Sequence, residues 1–193
     1  DFEKGPFSVY RIYLGHTWNE RHELRALYAP LELNLKGKLA SPVRFQDSTF
    51  APGVETEGSY KFNSYRLTYA YHVPSSGDWK YAWGFTGKIR DAKVSLRQGS
   101  IRESKSNVGF VPLLHFQAAR PITEGWLLRF DFDGLAAPQG RAIDAAVFVE
   151  RDLAWKELSA FAGYRTVEGG ADNDEVFNFA WIHYATIGVR GSF

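Results

Sequence analysis

One histidine stands out by its company. His183 shares alternate positions with Trp181, Ala185 and Ile187, so in an extended strand it falls in a row of apolar side chains. An ionisable ring placed there costs free energy unless it finds a partner or serves as a base, which makes His183 the candidate catalytic residue. Its sequence neighbours help little. His183-Tyr184-Ala185 contains no serine, Thr186 is the nearest hydroxyl, and no carboxylate has an obvious orienting place. The competing reading is a bulge that turns the ring inward, or a polar tip at the edge of an apolar surface.

A second set is charged. Arg66, Lys88, Arg90, Arg129, Arg165 and Arg190 alternate with apolar residues, and Glu32, Asp131, Asp133 and Asp144 supply the opposite sign on the same alternation. Opposite charges on one face can pair, which relieves much of the penalty of burying either alone. The set therefore reads as a salt-bridge network or as the mildly basic lining of a narrow wet passage. Asp133 and Arg141 are expected to pair across "DGLAAPQGRAID". The stretch "EGGADNDE" holds Glu168, Asp172, Asp174 and Glu175, enough oxygens for calcium but without the fixed spacing of a calcium-binding loop. A solvated loop is expected there, with no metal and no cofactor. His16 and His22 could face Asp172 and Asp174 as a protease would require, but no spacing supports it.

These residues need elements to carry them, and the dominant signal is period two. Tyr65, Leu67, Tyr69, Tyr71 and Val73 oppose Ser64, Arg66, Thr68, Ala70 and His72. The same alternation recurs from Trp79 to Lys88, Val108 to Gln117, Trp126 to Asp133, Ala142 to Val149 and Ala160 to Arg165. "PSSGD", "RPITEG" and "ERDLA" read as short turns; "QGSIRESKSN" and "EGGADNDE" read as longer polar loops. Trp79, Trp126 and Trp155 each follow a short turn. Tryptophans at one height on several strands form an interfacial belt, since an indole favours one apolar and one wet side. Tyr164, Phe177, Phe179 and Trp181 would form the belt at the other end.

Composition removes several classes. The 193 residues carry a net charge of +1, which gives no basic field for nucleic acid. There is no cysteine, hence no disulfide or thiolate chemistry. No apolar run is long enough for a membrane helix, but a membrane strand needs only about 9–11 alternating residues. Met is absent, including at position 1, so the chain is expected to begin behind a removed export signal. The expected fold is all-β: one domain over residues 1–193, a transmembrane antiparallel up-and-down β-barrel. Strands at 7–16, 24–35 and 41–50 would bring the count to ten. The alternative is eight strands with residues 1–20 as an N-terminal arm or helix.

The chain closes on "YATIGVRGSF", with Ile187 and Val189 on alternate positions and Phe193 last. Residues 185–193 resemble the C-terminal signature of Gram-negative outer-membrane β-barrels, with Gly191 where that pattern usually has a bulky residue. The resemblance implies location in the bacterial outer membrane and recognition of Ile187, Val189 and Phe193 by the outer-membrane assembly machinery. It also implies contact with membrane lipid and lipopolysaccharide. Arg21, Arg25, Lys93, Arg97, Arg102 and Lys105 are expected toward the loop end, where outer-leaflet phosphates lie. The function expected is that of a monomeric structural or interaction protein, or a porin-like narrow pore for small solutes. The alternative is a lipid A-modifying enzyme, an acyl hydrolase or acyltransferase using His183.

Overall fold

Alternating side chains demand strands, and strands are what form. The computed structural model describes residues 5–138, 140–155, 157–173 and 176–193, with side chains outside 170–179. It is all-β, with no helix among the described residues. Twelve strands follow in order: β1 (Ile12–Trp18), β2 (His22–Ala29), β3 (Glu32–Lys38), β4 (Val43–Phe45), β5 (Ser48–Phe50), β6 (Glu55–Val73), β7 (Lys80–Gln98), β8 (Ile101–Thr123), β9 (Trp126–Ala137), β10 (Gly140–Asp152), β11 (Leu158–Asn173) and β12 (Val176–Gly191). The main sheet runs β1-β2-β6-β7-β8-β9-β10-β11-β12, with β3 also paired to β6. From β6 onward each strand neighbours the next in sequence, which is up-and-down connectivity.

Ten strands make this sheet, but they are not the ten read from the alternation. Residues 24–35 form two strands broken at Pro30 and Leu31, because proline cannot donate to the ladder. There the Leu31 amide donates to Asn63 Oδ1 at 3.1 Å, and Phe62 N donates to the Leu31 carbonyl at 2.7 Å. Residues 41–50 leave the main sheet altogether and pair only with themselves, as β4 and β5. The N-terminal helix of the eight-strand alternative does not form; β1 occupies residues 12–18 instead.

The long polar loops are also corrected. β7 and β8 meet across Gly99 and Ser100, so "QGSIRESKSN" is mostly strand, turned by Gly99 at φ +58°. β11 likewise runs to Asn173. On β8, Ser104 to Val108 are exposed on consecutive positions, and solvation of both faces hides a strand from any hydropathy pattern although the backbone ladder continues. Asp174 and Glu175 lie outside the described residues, as do the side chains of Asp172, Phe177 and Phe179.

The chain divides into two compact units. The first holds Asp1–Leu14, Ala26–Leu67 and Lys88–Val111; the second holds Gly15–Arg25, Thr68–Gly87 and Pro112–Phe193. In the first unit the β4–β5 hairpin is tied down by Gln98, whose amide bridges Ala51 N, Ala51 O and Thr56 Oγ1. Ser48 Oγ adds a hydrogen bond to Glu103 at 2.6 Å.

In the second unit one face is buried and the other open. Ala70, Ala82, Thr68 and Thr86 are buried, while Tyr69, Tyr81, Trp83 and Phe85 on the alternate positions are exposed. Gly84 sits on the buried face where a Cβ would meet the Tyr69 carbonyl oxygen at 1.9 Å, so only glycine fits. This unit is curled. Arg25 on β2 reaches Asp131 on β9 at 3.1 Å, although β6, β7 and β8 intervene. A flat sheet would hold those two strands ~19 Å apart.

Candidate functional site

The buried face of the second unit gathers a polar chain built from strands distant in sequence. Thr68 and Thr86 hydroxyls lie 2.7 Å apart, and Thr86 donates to Asp133 Oδ1 at 2.7 Å. His115 Nδ1 stands 2.7 Å from the same oxygen. On the far side of the ring, Nε2 lies 3.4 Å from Arg25 Nη2, and Arg25 Nη1 donates to Asp131 at 3.1 Å. With its amide oxygen turned to the guanidinium, Gln117 accepts from Arg25 Nη1 at 2.7 Å and stands 3.1 Å from His115 Nε2. The ring thus has a partner in either charge state. Neutral, it accepts from Arg25; protonated, it donates to Gln117.

His115, Asp131 and Asp133 bring ligand atoms within 4.8 Å of one another. The surrounding donors do not suit a metal ion. Arg25 donates to one oxygen of Asp131 and Thr86 to one oxygen of Asp133, and the guanidinium supplies the positive charge a cation would bring. Thr86 and His115 meet through one carboxylate oxygen of Asp133.

Two further pairings line the same face. Arg129 holds Glu150 with two bonds of 2.7 and 3.0 Å, and Arg190 reaches Glu150 at 3.2 Å. Arg165 donates to Asp144, both fully buried. Arg165 also lies over the Phe148 ring, 5.4 Å from its centroid, and its buried Nε has no partner. Four arginines therefore meet three carboxylates, Arg25 on Asp131, Arg165 on Asp144, and Arg129 and Arg190 together on Glu150, while Asp133 is held by His115 and Thr86. Arg129, Asp131, Asp144 and Arg165 of the expected charge network come together here. Arg66, Lys88 and Arg90 belong to the first unit, where Arg66 donates to Ser64, Lys88 lies over Phe62 and Arg90 donates to Asn107.

Several expectations are corrected. Arg25 is part of the buried network and does not face the loop end. Asp133 turns to His115, so Arg141 pairs with Glu168 instead. Sequence reading missed the meeting of Arg25, His115, Gln117 and Glu150. Parity did place His115 and Gln117 on the buried face of β8; nothing in a linear pattern says which side chains meet across a curled sheet.

His183 lies on the exposed face of the second unit. Across the ladder it is paired with Thr166. The Tyr164 hydroxyl hydrogen-bonds to His183 Nδ1, Thr166 Oγ1 lies 3.4 Å from it, and Trp181 Nε1 donates to Thr166 at 2.6 Å. The nearest hydroxyls thus come from β11, not from Thr186. Trp126 carries Arg151 on its ring at 5.1 Å, Trp79 carries Arg120 at 5.9 Å, and Trp155 is exposed in the β10–β11 turn. Ile187 and Val189 are exposed on β12, and Phe193 follows the strand's end.

In the first unit, Arg97 and Arg102 share a cleft of about 580 Å³ with Lys36, Glu57, Ser59 and Lys93. Lys105 is exposed elsewhere on β8. Glu57 binds Lys36 at 3.0 Å and Arg97 at 3.6 Å. The Lys36 hydrogen bond first, and then the Lys36, Arg97 and Arg102 charges, hold the Glu57 carboxyl below the usual carboxylate range. Comparison with family models, with curated proteins and with solved structures finds no match to this chain.

Proposed function

We propose that the protein is a small β-barrel of the bacterial outer membrane whose second unit lies in the bilayer, with a structural or interaction role and not open conduction. One observation carries the reading: polarity and burial are exchanged. Trp83 is 55% exposed and Ile187 86%, while Asp144 is 2% exposed and Arg165 4%. A water-soluble sheet buries its apolar face, because that is where its folding free energy comes from. A strand in lipid does the reverse, setting apolar residues against acyl chains and polar residues inside. β9 and β10, at 12 and 13 residues, are long enough to cross. Arginines stacked on Trp79 and Trp126 suit the boundary where rings meet headgroups.

Because the arginines of the buried face are each paired with a carboxylate, a closed interior fits better than a narrow pore. The partners in this reading are membrane lipid, lipopolysaccharide and, through residues 185–193, the outer-membrane assembly machinery. The refolded protein is expected to migrate faster on a gel unheated than boiled, and to float with phospholipid vesicles. Identical migration, with the protein soluble in detergent-free buffer, would sink the reading.

A second reading rests on the two hydroxyls beside His183. With His183 as base and Thr166 as nucleophile, the exposed cluster would act on acyl esters of outer-leaflet lipid. Lipid A from cells expressing the protein would then change in mass, and His183→Ala would restore it. An unchanged lipid A profile removes this reading.

A further inference from the structure

We propose that the cleft of the first unit binds the phosphoryl groups of an outer-leaflet glycolipid. The proposal rests on the outer-membrane reading above and assigns one of its partners to a particular cleft. Four cations, Lys36, Lys93, Arg97 and Arg102, face one carboxylate, Glu57, leaving a surplus of three positive charges around about 580 Å³. Glu57 pairs with Lys36 and Arg97, so an incoming phosphate has one exposed carboxylate to compete with for these cations. Guanidinium forks match phosphate oxygens in pairs, and Ser59 and Ser95 offer neutral donors beside them. No aromatic ring lines the cleft, so it has no platform on which a nucleic-acid base would stack.

What selects a glycolipid over a free anion is the rest of the same face. Along β6, exposed Leu67 and Tyr65 share alternate positions with Ser59 and Glu57. Along β7, exposed Ile89 precedes Lys93 and Arg97; along β8, exposed Phe110 and Val108 lie on the alternation of Arg102. Apolar and cationic rows thus follow each other within one unit, with Lys93 ~13 Å along the strand from Ile89. An amphiphile with acyl chains at one end and phosphates at the other matches that succession. A soluble phosphate would have no use for the apolar rows.

The test uses the full chain in phosphatidylcholine discs, titrated calorimetrically with lipopolysaccharide, with chemically dephosphorylated lipopolysaccharide, and with inorganic phosphate. The variants are Arg97→Gln/Arg102→Gln and, as a control outside the cleft, Lys80→Gln. Lipopolysaccharide is expected to bind wild type and the control alike, and to lose about ten-fold or more in affinity with the double variant or on dephosphorylation. Equal binding of the dephosphorylated glycolipid overturns the proposal, as does an unaffected double variant. Binding of inorganic phosphate alone overturns the glycolipid assignment and makes the cleft a small-anion site. Protein that enters the discs and shows the heat-dependent gel shift, yet binds nothing, removes the site and leaves the barrel reading standing. Protein that does not enter the discs removes both.

Discussion

Glu57 is one carboxylate among four cations, and that imbalance decides what its removal does. In Glu57→Gln the surplus rises by one positive charge and Lys36 and Arg97 lose their competitor, so lipopolysaccharide should bind roughly three-fold tighter or more at neutral pH. Its titration gives a second readout. A carboxyl whose folded pKa is depressed contributes stability that is complete above the unfolded value and is lost as pH falls through the folded one. The melting temperatures of wild type and Glu57→Gln should therefore differ by a constant amount at neutral pH, with the gap closing only below the usual carboxylate range. A gap that widens on acidification would contradict the assignment. Asp144 is the buried counterpart. Its removal in Asp144→Ala strands Arg165, whose Nε already has no partner, and should cost about 3–5 kcal/mol. The urea midpoint of the folded gel band measures it.

Among the elements, β10 and β11 show how close the backbones approach. At Gly163 a Cβ would stand 2.0 Å from the Val147 carbonyl oxygen and 2.8 Å from Phe148 Cα, atoms with nowhere to go. Gly163→Val should abolish the fast-migrating unheated band. Gly191→Ala, whose tightest neighbour is the Leu158 Cδ2 methyl at 3.2 Å, the end of a side chain that a few tenths of an ångström would clear, should keep it. The strand rows themselves were legible: Tyr65, Leu67 and Tyr69 outside, with Arg66, Thr68 and Ala70 within, follow from alternation alone. The break at Pro30 was signalled by the residue but masked by the apolar run around it. The extension of β7 to Gln98 was written in the alternation of Ala92, Val94 and Leu96 with Asp91, Lys93, Ser95 and Arg97, but the expected strand stops at Lys88. The meeting of Arg25 with Asp131 was not legible, since it depends on curvature and not on any local residue pattern.

At the scale of the whole molecule the barrel reading makes ion passage the property to measure, and the pairing of charges on the buried face predicts its absence. An ion pair in a wet interior is cheap to break, whereas one in a dry interior is costly, since parting the partners leaves each undersolvated. Conductance separates the two. With Arg25, Arg129, Arg165 and Arg190 each held by a carboxylate and the Arg165–Asp144 pair buried, wild type in a planar bilayer should be silent. Removing one charge alone would mix a vacated space with a stranded ion, so the informative variant removes both. Arg25→Ala with Asp131→Ala deletes the bridge between β2 and β9 without leaving either charge behind. If that bridge is what closes the interior, the double variant should show brief openings whose size scales with salt. Steady openings in wild type would instead make the inner face a wet lining, and the narrow-pore reading would displace the closed one.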